Sequence, residues 1–206
     1  MTTSDTILDA FLMLAADKGY REVTLRDVAA EADTGLADLY RLYPDKVALV
    51  SGVMARVDAA VLASTPRQID PEETARDRLF DVMMRRYDAL KPHREAVRSI
   101  VRAARRDPLL AFALAPGVRR SMAAMLEAAG LPSEGVSGAM RQNGLLAIYT
   151  AVSRVFDRDD SADLSKTMAA LDSRLKTAER WAQAFERYKV SRPDQRREPV
   201  SEPRTQ

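Results

Sequence analysis

The sequence predicts an all-α protein, and three observations carry that expectation. Apolar residues recur at steps of three and four along nearly the whole chain. No stretch alternates apolar and polar residues for long enough to make a strand. Caps, glycines and prolines of the kind that start and stop helices stand between the periodic segments.

The first helix is expected over about 4–18, where Ile7, Leu8, Phe11, Leu12, Leu14 and Ala15 form one stripe, Ser4 stands as N-cap and Gly19 ends it. Thr24-Leu25-Arg26-Asp27 reads as a capping box with Asp in place of Glu, opening a short helix through Val28, Ala29 and Ala32. After a break at Asp33-Thr34-Gly35, a third short helix carries Leu36, Leu39 and Tyr40. Tyr43-Pro44-Asp45-Lys46 restarts the chain as a longer helix through Val47, Leu49, Val50, Val53, Met54 and Val57. Ser64-Thr65-Pro66 and Asp70-Pro71-Glu72-Glu73 bracket a polar linker; the second has an Asp cap, a Pro at the first helical position and acids in the first turn. The domain boundary falls there, giving a head over 1–63 and a body over 70–188. Body helices are expected at about 71–90, 92–106, 108–129, 133–156 and 161–188, divided by Lys91-Pro92, Asp107-Pro108, Gly130-Leu131-Pro132 and Asp157-Arg158-Asp159-Asp160. Residues 189–206 have the composition of a disordered tail.

A chain of 206 residues is long enough to bury a hydrophobic core. The absence of cysteine excludes a thiol nucleophile, a Cys-ligated zinc or iron–sulfur site and any disulfide. With His93 as the single histidine, a His-rich metal site or a Ser-His-Asp triad is not expected either. No Gly-rich phosphate loop is present, so no cofactor, no metal and no enzymatic activity are expected. The balance of 46% hydrophobic and 30% charged residues is that of a folded globular chain. No run of about 18 apolar residues occurs and the N-terminus lacks a signal-peptide pattern, so a cytoplasmic location is expected.

Two short helices joined by a tight turn and flanked by longer ones are the layout of a helix-turn-helix DNA reader. The residues themselves resemble the TetR family of bacterial regulators: Ile7-Leu8-Asp9-Ala10, Gly19-Tyr20, Thr24 through Ala32, Leu39-Tyr40-Arg41, and Tyr43-Pro44-Asp45-Lys46-Val47-Ala48-Leu49. The resemblance covers about the first 50 residues. It implies a small DNA-binding head on a helical ligand-binding body, acting as a homodimer on a pseudo-palindromic double-stranded operator under a small apolar or amphipathic effector. It also implies phosphate contacts at Thr24, Tyr40 and Lys46 and places residues 34–39 on the recognition helix. Thr34, Gly35, Leu36 and Asp38 are then DNA-contact candidates, with Thr34 almost the only base-edge donor and Asp38 able to accept from a cytosine amino group but repelling phosphate, while Arg26 and Arg41 add positive charge. Plainer roles compete with these: Thr24 as a simple cap, Tyr40 with its ring buried, Lys46 solvated.

Charge is distributed against that reading. Residues 1–50 hold five basic groups (Lys18, Arg21, Arg26, Arg41, Lys46) and nine acidic ones, a net charge of −4 in a chain whose total is +2. Residues 76–120 hold twelve Lys and Arg against five Asp and Glu, including Arg85-Arg86, Arg98, Arg102, Arg105-Arg106 and Arg119-Arg120. Such a run is either a set of solvated helix faces or a surface for an anionic partner or membrane. Leu90 through Arg98, Asp159 through Asp163 and Thr167 through Asp172 are similar to lipid-binding proteins of ubiquinone biosynthesis, which share the same architecture. The alternative function is therefore a lipid- or isoprenoid-binding or interaction protein with a degenerate head, and only this alternative calls for a membrane surface.

Met83, Met84, Tyr87, Phe112, Met122, Met125 and Tyr149 are the candidate lining of an effector pocket, since methionine and aromatic side chains suit adaptable apolar sites. Leu164, Met168, Leu171, Leu175, Ala178, Ala182 and Phe185 repeat as an a/d seam, and Leu145, Ile148, Val152 and Val155 form a similar stripe. Leu145, Ile148, Val152, Leu164, Met168, Leu171, Leu175 and Phe185 are the candidate dimer interface, with packing inside one protomer as the other reading of the same spacing.

Overall fold

A computed structural model describes residues 3–190, with side chains placed through residue 184. Among the described residues every regular element is helical: α1 (Thr3–Leu14), α2 (Leu25–Glu31), α3 (Leu36–Leu42), α4 (Lys46–Ala63), α5 (Ala75–Leu90), α6 (Arg94–Arg106), α7 (Pro108–Ala128), α8 (Gly135–Phe156) and α9 (Ser165–Val190). Of the expected tail, residues 191–206 lie outside the described residues, as does the side chain of Phe185.

The N-terminal helix buries Ile7, Leu8, Ala10, Phe11 and Leu12, then widens into a π-helical turn over Ala15–Gly19. Gly19 ends it at φ +89°, a conformation that costs glycine little. Ser4 lies inside the first turn rather than capping it, because its hydroxyl is bonded to that of Tyr43 at 2.7 Å. Across the α2–α3 turn, the Thr34 N–H donates to the Ala29 carbonyl at 3.0 Å while Asp33 takes φ +47°. Asp tolerates that region better than most residues but still pays strain there. Asp33→Gly should therefore raise stability by about 0.4–1 kcal/mol, read as an upward shift of the urea midpoint; a downward shift would mean that the Asp33 side chain holds the turn.

Helix α4 joins two cores. Its first half contributes Leu49, Val50 and Val53 to a cluster with Phe11, Val28 and Leu39, and that cluster also takes in Ala96, Ile100, Ala103 and Leu114 from α6 and α7. Its second half contributes Val57 and Val61 to a cluster with Met83, Tyr87, Met122 and Met125. The head core is thus completed by body helices. At the point where one core gives way to the other, Asp58 of α4 is ion-paired with Arg86 of α5 and accepts from the Ser121 hydroxyl of α7 at 2.6 Å.

Several starts differ from the sequence reading. The fifth helix begins at Ala75 under a Thr74 cap, not at Pro71. Asp70 instead closes its own turn, accepting from the Glu72 N–H at 2.9 Å, since residues 71–74 have too little apolar surface to be held as helix by packing. A 3₁₀ turn at Lys91–His93 delays α6 to Arg94. The last helix begins at Ser165 rather than 161 because buried Asp159 organises the preceding loop. Its carboxylate accepts from the Thr167 N–H at 2.8 Å, the Thr167 hydroxyl at 2.7 Å, the Ser161 N–H at 3.1 Å and the Ser161 hydroxyl.

α7 has the length and apolar composition of a membrane-crossing helix, although no apolar run stood out in the sequence. It packs Leu114, Met122, Met125 and Leu126 into the two cores.

The seam expected to face a second copy turns inward. Leu145, Val152, Leu164, Leu171 and Leu175 are buried in the protomer's own core, because α8 and α9 pack on each other and on α5 and α7. Ile148 is half-buried against the same core and Met168 is 41% exposed. The face of α8 that remains open carries Val136 and Met140, with Ala147 and Thr150 further along it. Of the expected pocket lining, Met83, Met84, Tyr87, Met122 and Met125 are buried in the body core. Tyr149 is half-buried there, stacked on Tyr87 with ring centroids 5.8 Å apart. Phe112 is not among them: it is 81% exposed at the start of α7, on the side opposite Leu114.

Candidate nucleic-acid interface

α2 and α3 are held as a rigid pair by local chemistry. The Thr24 hydroxyl accepts from the Asp27 N–H at 3.2 Å, and the Asp27 carboxylate accepts from the Thr24 N–H at 2.8 Å. The expected capping box is therefore present, with Asp serving where Glu is usual. Asp27 also pairs with Lys18 at 2.8 Å. The hydrogen bond from Lys18 and those of the cap hold its carboxyl down to about 2, so it stays ionised at all ordinary pH values. Leu39 is fully buried and anchors α3, leaving the rest of that helix facing outward.

The outward face brings several expected residues together. Leu25, Arg26, Leu36, Ala37 and Tyr40 line one shallow depression shared by α2 and α3. Tyr40 is 60% exposed, which rules out the buried-ring reading, and its hydroxyl is available to a phosphate. Arg26 is exposed and makes no ion pair among the described residues. Gly35 begins α3 without a side-chain cap, and Thr34 is half-buried beside it. Asp38 is bound to Arg41 at 2.6 Å, so each of those two charges offsets the other on the exposed face.

Lys46 is differently placed from the solvated lysine or phosphate arm that the sequence suggested. Its ammonium donates to the carbonyls of Tyr20 and Arg21 at 3.0 and 3.1 Å and lies 4.7 Å above the Tyr20 ring. Partial burial lowers its pKa against the opposing pull of Glu22. Two of its three N–H donors thus clamp the start of α4 to the end of the first helix, a role visible only once sequence-distant segments meet.

The basic run over 76–120 is also resolved by the fold. Arg76, Arg78, Arg85, Arg86, Lys91, Arg94 and Arg98 are bound to carboxylates or carbonyls of other segments. Arg102, Arg105, Arg106, Arg119 and Arg120 are exposed and make no such contact among the described residues. His93 sits half-buried in a cleft between α1 and the start of α6, where burial first and nearby Arg56 second lower its pKa.

Comparison with known proteins bears on both parts of the molecule. Residues 7–53 match the family model for bacterial regulatory proteins of the tetR family. A stretch of 50 residues is 48% identical to the HTH-type transcriptional repressor KstR of Rhodococcus jostii, covering 24% of each chain. The repressor of the same name from Mycolicibacterium smegmatis is 41% identical over 61 residues, or 30% of each chain. The chain thus spans less than a third of the length of the curated relatives it matches. It superposes on a TetR transcriptional regulator from Nitrosomonas europaea with a TM-score of 0.70, at 23% identity, covering 85% of this chain and 97% of the other. A TetR regulator from Rhodococcus sp. superposes with a TM-score of 0.60 at 20% identity, covering 84% and 95%. Residues 7–53 thus carry the sequence pattern of the tetR-family model, and the chain shares the fold of solved TetR regulators.

Proposed function

We propose that the protein is a DNA-binding transcriptional regulator, a homodimer that reads a pseudo-palindromic operator through α2 and α3 and answers to a small apolar or amphipathic effector held in the body. The observation that carries this reading is the exposed α2–α3 face, with Arg26, Leu36 and Tyr40 outward on a pair of helices fixed by the Thr24–Asp27 box and the buried Leu39. In functional terms the head is 1–63 and the body 70–188. Thr24, Tyr40 and Arg26 meet phosphates, and Thr34, Gly35, Leu36 and Asp38 lie against base edges, with Arg41 steadying Asp38. The protein acts by binding rather than catalysis. The second copy docks on the open face of α8, with Val136 and Met140, rather than on the inward seam. The methionine-rich body core around Tyr87 and Tyr149 opens to admit the effector. Because α4 belongs to both cores, an effector that binds one body arrangement better than another also shifts the head, and only that difference in affinity moves the population.

Fluorescence anisotropy of the full chain against its own upstream intergenic DNA, with excess competitor duplex, tests the reading. Saturable binding that survives competitor is expected; its absence at both low and near-physiological salt would overturn the regulator assignment. Tyr40→Phe is expected to weaken binding by a similar factor on operator and random duplex alike, since a phosphate contact carries no sequence information. A change in sequence preference instead would place Tyr40 against a base.

A further inference from the structure

The head that should approach DNA is acidic, with a net charge of −4 over residues 1–50, and nonspecific DNA affinity comes chiefly from neutralising phosphates. The positive charge that the head lacks lies beside it. Helix α6 runs along the end of the first helix: the Ser99 hydroxyl accepts from the Tyr20 N–H at 2.7 Å, while Ala96, Ile100 and Ala103 are buried in the head core. Arg102 and Arg106 stand three and seven residues beyond Ser99, so they share the side of α6 that flanks Tyr20. Both are exposed and make no hydrogen bond or ion pair among the described residues. Arg21, next to Tyr20, is exposed, and its guanidinium makes no hydrogen bond or ion pair among the described residues. Lys46 ties this region to the start of α4 through the Tyr20 and Arg21 carbonyls.

The acids nearest this ridge keep their charge but are held in place, and both Asp45 and Asp107 act electrostatically on Tyr20. The carboxylate of Asp107 is turned onto the N–H groups of Leu109 and Leu110, and that of Asp45 onto the Ala48 N–H at 2.7 Å, each engaged at a helix start. Glu22 is the exposed acid beside Arg21.

We propose that Arg102 and Arg106 of α6, with Arg21, form a second phosphate-binding surface that grips the DNA backbone outside the stretch faced by α2 and α3. The proposal rests on the DNA-binding reading above. It gives the body a direct part in affinity: an effector that moves α6 relative to the head removes phosphate contacts as well as changing the spacing of the heads.

The test is a salt titration of DNA binding, from about 50 to 200 mM, on the intergenic duplex and on a random duplex. Four full-length proteins are compared: wild type, Arg102→Ala with Arg106→Ala, Arg102→Lys with Arg106→Lys, and Arg119→Ala with Arg120→Ala. The last pair lies ~18 Å along α7 from the α6–α7 corner at 1.5 Å per residue, and serves as the charge-matched control. The alanine pair is expected to reduce the slope of log K against log salt by about 1.8 on both duplexes, at about 0.9 per lost phosphate contact, with sequence preference unchanged. The lysine pair and the control pair are expected to keep the wild-type slope. An alanine pair with the wild-type slope overturns the proposal, as does a lysine pair that loses as much as the alanine pair, which would mark a structural role. If the arginines instead hold the protein on phosphatidylglycerol vesicles and leave the DNA slope unchanged, the surface is for membrane and not for DNA. A wild type that binds neither duplex overturns the regulator reading itself, an outcome distinct from one in which only the slope fails to change.

Discussion

Asp58→Ala is expected to destabilise the protein by about 3–5 kcal/mol, the usual cost of removing one partner from a buried ion pair. Arg86 is only 3% exposed, and its Nε already has no hydrogen-bond partner. Without Asp58 it keeps the Ser121 hydroxyl at 3.3 Å and the Tyr149 side chain, whose ring lies 5.4 Å from Cζ, and neither is a carboxylate. Urea unfolding followed by circular dichroism reads the effect. The double replacement Asp58→Leu with Arg86→Met should recover most of the loss, because apolar side chains of similar volume often replace such a pair at no net cost. A loss below ~1 kcal/mol for Asp58→Ala would mean that the guanidinium finds water or another acceptor, and that the pair does not fasten α4 to the body. The same fastening predicts a functional signature: the double variant should fold, yet its DNA affinity should respond less to any effector that moves α5 and α7.

Asp159→Asn carries the second large effect and adds a pH dependence. Burial alone would raise the pKa of this carboxyl, but the hydrogen bonds from Ser161 and Thr167 outweigh it and hold the group well below the usual carboxylate range. A carboxylate whose pKa is depressed by folding stabilises the native state above its unfolded value near ~3.9, and that contribution disappears as the pH falls through the depressed folded value. Asp159→Asn should therefore cost about 2–3 kcal/mol at pH 7, since an amide cannot accept all four bonds and places N–H groups against donors. It should also flatten the acid limb of the stability curve below about pH 4, where the unfolded wild-type chain takes up a proton at Asp159 that the native state still excludes. Chemical denaturation at pH 7 and pH 3 measures both. Equal destabilisation at the two pH values would show that the effect is steric rather than electrostatic.

These two residues show where sequence reading stops. The acidic turn Asp157-Arg158-Asp159-Asp160 reads as a polar break between helices, and it is one, but nothing in its composition says that Asp159 is buried while Asp160 stays in solvent. Asp58 and Arg86 are 28 residues apart, on helices whose polar residues look like ordinary solvated positions, so their pairing carries no local signal. Lys46 is similar: its place at a helix start suggests an anion, and only the return of the first helix supplies the Tyr20 and Arg21 carbonyls.

What the sequence determined by itself was local or periodic: the helical class, the reciprocal cap at Thr24–Asp27, the glycine stop at Gly19, the short α2–α3 turn and the match of residues 7–53 to the tetR-family model. Each depends on residues within one or two turns of each other, and short-range hydrogen bonding and backbone sterics do not wait for the rest of the fold. The tertiary structure alone decided which partner each apolar stripe and each charge would meet. A 3–4 spacing of leucines is satisfied equally by the same chain or a second copy, so Leu171 and Leu175 could face either until α5 and α7 closed over them. An arginine run likewise gives only a total. Packing engaged seven of its members on carbonyls and carboxylates and left Arg102 and Arg106 free beside the head, because long-range approach is what sets the field around each charge.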